Sequence, residues 1–186
     1  MSKLVVSEFV TVDGVFEDPG GAEGSPYGGW AFQFERGPEG DKFKLDEVMA
    51  AGALLLGRVT YEGFAAAWPG RKDDVGFADK FNSMPKYVVS STLSDPTWSN
   101  STVVAFDQIA ALKKQPGGEI TVHGSISLVN GLLDAELIDE LRLMVHPIVL
   151  GSGKRLFAEH ADAHTLKLAE ARPLESGSVI VRYERA

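Results

Sequence analysis

The sequence has 186 residues, 44% of them hydrophobic and 24% charged, which is the composition of a globular protein long enough for one domain with a proper core. Its net charge of −8, from 18 basic and 26 acidic residues, argues against non-specific nucleic-acid binding. Cysteine is absent, which excludes disulfides and thiolate chemistry, and the lack of a signal-peptide pattern or of a run of ~18 apolar residues predicts a cytoplasmic protein without membrane contact.

The first fifty residues predict a strand, a long loop and a helix. Lys3–Thr11 is β-branched and mostly apolar, and an Asp-Gly turn signal follows this predicted buried strand. Asp18–Gly29 is rich in glycine and proline, and its length is typical of a lid or substrate loop. Trp30–Glu35 combines three aromatic residues with one carboxylate, and Asp41–Ala51 has the pattern of a helix.

A short apolar run then leads into the stretch that carries the strongest chemical signal. Leu54–Leu56 predicts a buried strand, and Thr60 is a candidate cap for a helix over Tyr61–Ala67. A helix N-terminus binds anions through its unpaired N–H groups. Gly57 allows close backbone approach and Arg58 adds a fixed positive charge. An ordinary strand–turn–helix with a surface arginine explains the spacing equally well.

The rest of the chain alternates helices with strands and ends in strands alone. The predicted helices are Asp74–Asn82, Ile109–Gln115 and Ile126–Leu133. The predicted strands are Lys86–Thr92, Thr102–Phe106, Glu119–His123, Glu140–His146, Thr165–Ala171 and Ser178–Tyr183. This order predicts a single α/β domain over residues 1–186, with helices on both faces of a mixed, mostly parallel sheet and an antiparallel C-terminal hairpin.

Three of the predicted strand ends are rich in glycine and hydroxyl residues: Gly57–Thr60, Ser90–Thr92 and Gly124–Ser127. Ligands of open α/β sheets bind beyond the carboxyl ends of parallel strands. Two of the three stretches also open helices, which suits a dinucleotide with several phosphates. Each stretch taken alone is explained more simply as ordinary turn composition.

Taken together, the stretches resemble the dihydrofolate reductase-like family, and specifically the reductases related to the C-terminal domain of riboflavin-biosynthesis proteins. The segments that carry the resemblance are Thr11-Val12-Asp13-Gly14, Leu56-Gly57-Arg58-Val59-Thr60-Tyr61-Glu62, Lys86-Tyr87-Val88-Val89-Ser90-Ser91-Thr92, Val122-His123-Gly124-Ser125, and Leu141–Phe157 with its His146-Pro147 and Leu150-Gly151-Ser152-Gly153. They extend over nearly the whole chain.

The resemblance implies a three-layer dihydrofolate reductase-like fold that binds NADPH. The cofactor residues that it implies fall into three groups: Arg58 and Thr60 beside Gly57 for phosphates, Ser90, Ser91 and Thr92 for the adenosine 2′-phosphate, and Gly124, Ser125, Ile126, Ser127 and Leu128 for the pyrophosphate. The cofactor would supply the hydride, and the protein would orient it toward a small-molecule substrate. The resemblance also implies a homodimer formed by the C-terminal strands, where Leu141, Leu143 and Val145 make one apolar face.

Hydride transfer to a C=N bond also requires a proton, and Glu35 is the first candidate donor. In dihydrofolate reductases an acidic residue follows a tryptophan, as Glu35 follows Trp30 here. Trp30 and Phe34 could bind a flat heterocycle and raise the carboxyl pKa by desolvation. An exposed glutamate beside core aromatics is the competing interpretation. Asp13 is a second candidate, although an Asp-Gly pair is above all a turn former.

We therefore expect an NADPH-dependent reductase of a small, flat, pterin- or pyrimidine-like heterocycle, with a catalytically weak NADPH-binding sensor as the alternative. Folate is not assured as a substrate, because the Pro-Trp-x-x-Pro-x-Asp pattern is missing. The phosphoribosylaminouracil reductase activity of the riboflavin branch is less favoured, because Gly63-Phe64 stands where those enzymes tend to carry aspartate. His160 and His164 share helical spacing but have no third ligand nearby, so no metal site is expected.

Overall fold

The described part of the chain forms one eight-stranded sheet with helices packed on it. The computed structural model describes residues 1–157 and 163–186. The strands are β1 (Leu4–Thr11), β2 (Ala51–Gly57), β3 (Lys86–Val89), β4 (Ser101–Val104), β5 (Glu119–Val122), β6 (Glu140–His146), β7 (Leu166–Pro173) and β8 (Val179–Arg185). The α-helices are α1 (Gly37–Ala50), α2 (Arg58–Ala67), α3 (Phe77–Ser83), α4 (Ile109–Lys113) and α5 (Ile126–Asp134).

The strand order across the sheet is β4-β3-β2-β5-β1-β6-β8-β7. Neighbouring strands among β1 to β6 pair in parallel, whereas β8 runs antiparallel to both β6 and β7. This is the predicted mixed sheet with an antiparallel C-terminal hairpin, so the expected fold class is confirmed. The carboxyl ends of six parallel strands therefore meet along one edge.

The two faces of the sheet bury different helices because successive strand side chains point to opposite sides. Leu55 packs in a cluster with residues of α4 and α5. Leu54 and Leu56 pack in a second cluster with residues of α1, α2 and α3. A third, smaller cluster joins Phe43 of α1 to Met144 of β6 and to Ile180 of β8. None of the described helices is both long and apolar enough to cross a membrane.

Most predicted elements are present with shifted ends. The helix predicted from Asp41 begins four residues earlier, where Pro38 occupies the first turn. The strand from Lys86 ends at Val89, which leaves the hydroxyl residues in the turn that follows. The prediction that Thr60 caps a helix was wrong. Helix α2 begins at Arg58 with Gly57 as its N-cap, so Thr60 lies inside the first turn.

The glycine- and proline-rich loop folds around the buried carboxylate of Asp18. That carboxylate accepts hydrogen bonds from the backbone N–H groups of Glu23 and Ser25, at 3.0 and 3.1 Å. The Trp30 indole closes the end of the loop by donating to the Glu17 carbonyl at 2.8 Å. The loop thus has internal hydrogen bonds that give it a defined conformation.

Candidate active site

The three glycine- and hydroxyl-rich stretches lie side by side at the carboxyl edge of the sheet. In the sheet order, β3, β2 and β5 are consecutive neighbours. Gly57 pairs in register with Val89, and Leu55 pairs with Val122. The residues that follow these three strands therefore form a continuous rim, as expected from their positions in the sequence.

Ser125 joins the N-termini of α2 and α5. Its hydroxyl oxygen accepts a hydrogen bond from the Gly57 backbone N–H at 2.8 Å and donates to the Thr60 hydroxyl at 2.9 Å. To make both contacts, Ser125 adopts a left-handed backbone with φ of 67°. Two separate strand-to-helix turns are thereby tied into one unit.

Gly124 allows these two turns to approach closely. Its φ is +66°, and a Cβ atom added there would lie 2.7 Å from both Cγ2 and Oγ1 of Thr60. Any side chain at this position would push the β5–α5 turn away from α2. A glycine is therefore required here by both backbone conformation and space.

The first turns of α2 and α5 favour an anion. Neither helix has a side-chain hydrogen bond at its N-cap or an acidic residue in its first turn. The N–H of Val129 makes the first bond within α5, to the Ser125 carbonyl, so the N–H groups of residues 126–128 precede the helical ladder. Leu128 contributes only backbone, because its side chain is buried in the core. Two adjacent, uncapped helix N-termini place partial positive charge at one point of the rim.

Arg58 lies at this point but is paired with Glu62. Its Nη1 atom is 2.9 Å from both Glu62 carboxylate oxygens. The two side chains are 44% and 49% exposed, so the pair contributes little free energy and can be exchanged for a ligand contact at small cost. Beyond β3, the Ser90 hydroxyl accepts hydrogen bonds from the N–H groups of Thr92 and Leu93, at 3.1 and 3.0 Å. Ser90 thus shapes the turn, whereas Ser91 and Thr92 are exposed on it.

A cavity of about 380 Å³ lies farther along the carboxyl edge of the sheet, beside β1 and β6. Its lining consists of aromatic, charged and small residues: Phe9, Ala31, Phe32, Phe34, Glu35, Arg36, Gly37, Pro38, Asp41 and His146. His146 is buried, and its ring centroid lies 5.4 Å from that of Phe9 and 5.8 Å from that of Phe34. Burial lowers the pKa of His146, so its imidazole is neutral at pH 7.

The residues predicted from the Trp-to-acid spacing separate into two layers. Trp30 is fully buried and contacts His146 edge-on, with 5.3 Å between ring centroids, so it supports the cavity from behind. Phe34 and Glu35 line the cavity itself, and Glu35 is exposed to solvent there. The predicted carboxylate is thus at a cavity, but at its open side.

Asp13 is held as a carboxylate by the loop after β6. It accepts hydrogen bonds from the Thr11 hydroxyl at 2.6 Å and from the backbone N–H groups of Gly151 and Leu150 at 2.9 and 3.3 Å. These bonds, with the Thr11 contact as the largest cause, lower the pKa of Asp13. An acid with a lowered pKa is ionised at pH 7 and is a poor proton donor, so this geometry favours a structural role.

Two titratable groups at the carboxyl edge of the sheet, a buried glutamate and a half-buried histidine, were missed from the sequence. Glu8 of β1 is 6% exposed, and burial raises its pKa well above the usual range. His123 follows β5, with Nδ1 2.9 Å from the Ser7 carbonyl oxygen, and burial lowers its pKa to about 4. The signal for Glu8 was present in the sequence, since it is the only charged residue between Leu4 and Thr11.

A buried ionic network lies beside the site on the α1 face. Lys44 donates to the Ser7 hydroxyl at 2.9 Å and pairs with Glu47, which in turn accepts from Ser7 at 2.8 Å. Arg142 makes a bidentate contact with Glu119, at 2.8 and 2.9 Å. These pairs join α1, β1, β5 and β6 and hold the strands that carry the rim.

No group of three metal-binding side chains occurs within residues 1–157 and 163–186. His164 is described, whereas His160 lies outside the described residues. A second cavity, of about 270 Å³, lies near the amino end of β6 and includes Ile138, Asp139 and Arg185. It is at the opposite end of the strands from the glycine-rich turns, where open α/β sheets do not usually bind ligands.

Comparison with known proteins gives one family match and several full-length similarities. The family described as the RibD C-terminal domain matches residues 2–180. The chain is 27% identical to the uncharacterized protein YyaP of Bacillus subtilis (strain 168) over 188 residues, which cover 97% of this chain and 94% of that protein. It is 30% identical to YwjB of the same organism over 188 residues, with coverage of 99% and 98%.

Two solved structures share the fold. One is a putative riboflavin biosynthesis protein from Shewanella sp. PV-4, with a TM-score of 0.73, 19% identity and coverage of 100% of this chain and 99% of that chain. The other is a pyrimidine reductase-like protein from Corynebacterium diphtheriae, with a TM-score of 0.65, 14% identity and coverage of 100% and 92%. At these identities the likeness concerns the architecture alone.

Proposed function

The chain belongs to the RibD C-terminal domain family, and from this premise we propose that it is an NADPH-dependent reductase of a small, flat heterocycle. Membership of this family and the names of its structural neighbours support a reductase role at the coarse level. The cofactor and the substrate class are the finer parts of the proposal. They rest on the chemistry of the rim.

The observation that carries the proposal is the joining of two uncapped helix N-termini through Ser125. No acidic side chain lies in either first turn, and Gly124 keeps the two turns close. These features suit a pyrophosphate, which would be held by the N–H groups of residues 126–128 and by Arg58. The exposed hydroxyls of Ser91 and Thr92 would bind the 2′-phosphate beyond β3.

The strand order in the sheet indicates the direction in which the cofactor would extend along the carboxyl edge. If the 2′-phosphate of the cofactor lies at β3 and its pyrophosphate at β5, the rest of the cofactor extends toward β1, which is the next strand in the sheet. Strands β3 and β1 are three spacings apart, or about 14 Å. The residues of β1 and the aromatic cavity beside it are therefore the ones that the nicotinamide end would meet. When bound, NADPH supplies the hydride, and the chain supplies binding, orientation and a source of protons.

The cavity beside β1 suits a flat heterocyclic substrate. Its volume of about 380 Å³ is in the range of small-molecule sites, and Phe9, Phe34 and the neutral His146 provide aromatic surface. Glu35 lies at the open side of this cavity. We propose that Glu35 protonates a ring nitrogen of the substrate, which would require its carboxyl to be desolvated when the substrate covers it.

The test is a titration of the protein with NADPH and NADH, followed by NADPH oxidation assays with a panel of pterins and pyrimidines. We expect tighter binding of NADPH, and Arg58→Ala should weaken NADPH binding about 10- to 100-fold if the contact is charge-assisted. Arg185→Ala is the matched control, because Arg185 is also exposed but lies at the second cavity. Equal dissociation constants for the two cofactors would refute the phosphate assignment. Tight NADPH binding without turnover across the panel would instead favour the sensor alternative.

A further inference from the structure

Glu8 occupies the point at which β1 loses its partner on one side. Strand β1 pairs with β5 from Leu4 to Val6, where Val6 stands opposite Val122. It pairs with β6 as far as Thr11 on its other side. Because β5 ends at Val122, the next residues of the chain turn away into Gly124 and α5. The Glu8 side chain is thus enclosed between β1 and the Gly124 turn, just beyond the last residue pair that β1 forms with β5.

The carboxyl of Glu8 is buried there with an unused hydrogen-bonding atom. Its Oε1 atom has no hydrogen-bond partner in the described chain, and the side chain faces the Gly124 backbone N–H. Burial raises the pKa of Glu8 well above its usual range, and the Glu47 charge raises it further, against the lowering effects of the Gly124 N–H and Lys44. Burial thus favours the protonated form of Glu8, which has one O–H donor and one carbonyl acceptor.

The neighbouring charges do not satisfy Glu8. Lys44 and Glu47 of α1 are bonded to each other and to Ser7, which lies on the opposite face of β1. His123, beyond β5, is neutral at pH 7 and its Nδ1 atom contacts the Ser7 carbonyl. A buried polar atom without a partner is costly, and such atoms in folded proteins are usually matched by water or by a ligand.

We propose that Glu8 binds the carboxamide of the nicotinamide ring. This inference rests on the proposed function, because the pyrophosphate assigned to the Gly124 turn brings β1 next in the sheet order. A protonated carboxyl is complementary to a primary amide: its O–H donates to the amide oxygen, and its carbonyl accepts from the amide N–H. The protonated form of this buried acid favours such an uncharged group over an anion. Glu8 would in this way fix the rotation of the nicotinamide ring.

The test compares two ligands on three proteins. NADPH contains the carboxamide, whereas adenosine 2′,5′-bisphosphate carries phosphates but lacks the nicotinamide. We expect Glu8→Leu to weaken NADPH binding about 10- to 100-fold and to leave the bisphosphate dissociation constant within about twofold. Glu8→Gln should bind NADPH nearly as the parent does, because a side-chain amide likewise offers an N–H donor and a carbonyl acceptor.

Stability and pH provide readouts that do not depend on turnover. In the absence of ligand, Glu8→Leu should be about as stable as the parent, because the removal of a buried unpaired atom offsets the loss of the contact with the Gly124 N–H. In the parent, NADPH affinity should fall as the pH rises through the raised pKa of Glu8, whereas Glu8→Gln should not show this fall. The pH comparison keeps the proposal testable even if the leucine variant does not fold.

The outcomes separate this inference from the proposed function. If the parent binds NADPH and the bisphosphate but Glu8→Leu binds NADPH equally well, the role of Glu8 is refuted and the cofactor assignment stands. Equal weakening of both ligands by Glu8→Leu also refutes it, because Glu8 would then only shape the Gly124 turn. If the parent binds neither ligand, both proposals are overturned.

Discussion

Gly124→Ala is expected to destabilise the protein by about 3 kcal/mol. Gly124 has φ of +66°, and the left-handed backbone costs a residue with a Cβ atom about 1–2 kcal/mol. The added Cβ would also lie 2.7 Å from Cγ2 and Oγ1 of Thr60, and overpacking of this kind typically costs about 1–3 kcal/mol. The two contributions should add because one arises in the backbone and the other in side-chain contact.

Two glycines serve as controls for the separate contributions. Gly70 has φ of +79° with nothing within 4 Å of an added Cβ, so Gly70→Ala should show the backbone cost alone, about 1–2 kcal/mol. Gly63 lies inside α2, also in open space, so Gly63→Ala should stabilise the protein by about 0.5–1 kcal/mol.

The steric part can be tested by removing its partner. Thr60→Ala deletes Cγ2 and Oγ1 of Thr60, the two atoms that would lie 2.7 Å from the added Cβ. By itself this change also loses the hydrogen bond that Ser125 donates to Thr60, which contributes about 1 kcal/mol. We expect Gly124→Ala with Thr60→Ala to cost about 1–2 kcal/mol less than the sum of the single changes. Urea unfolding followed by tryptophan fluorescence would measure the four single variants and the double variant. If Gly124→Ala is no more harmful than Gly70→Ala, or if the double variant is additive, the close approach of the two turns is not what requires glycine.

Three further predictions concern catalysis, acid stability and assembly. Glu35→Gln should lower turnover about 10²-fold and leave NADPH affinity unchanged, so a variant with parental turnover would exclude Glu35 as the proton donor. Burial would raise the pKa of Glu140, but hydrogen bonds from Arg142 and Arg182 outweigh it and hold the pKa at about 2. Because folding lowers this pKa from 4.5, ionised Glu140 stabilises the fold above pH 4.5, and this stabilisation is lost as the pH falls toward 2. Glu140→Gln should therefore lower the free energy of unfolding by about 3 kcal/mol at pH 7 and by progressively less below pH 4, as measured by chemical unfolding. Light scattering at micromolar concentration should give the mass of a dimer, and a monomeric mass would contradict the expected pairing of the C-terminal strands.

The sequence by itself determined the order of the elements and the positions of the phosphate-binding candidates. Strand and helix periodicity depends on neighbouring residues, so β6 was predicted with its observed bounds, Glu140–His146. The glycine and hydroxyl residues were predicted at strand ends because turn chemistry is also local. The parallel topology then follows from the alternation of strands and helices, which is why three distant stretches were expected along one edge.

Only the tertiary structure decided which residues work together at that edge. Strand β5 inserts between β2 and β1, and this brings Ser125 to Thr60 and Gly124 to Glu8, although each pair is distant in the chain. Burial is likewise a property of the packed sheet: the side chain of Glu8 is enclosed, whereas Glu35, beside aromatic residues in the sequence, is exposed. Desolvation and hydrogen bonding set the protonation of a carboxyl, and both depend on groups that only folding brings within reach.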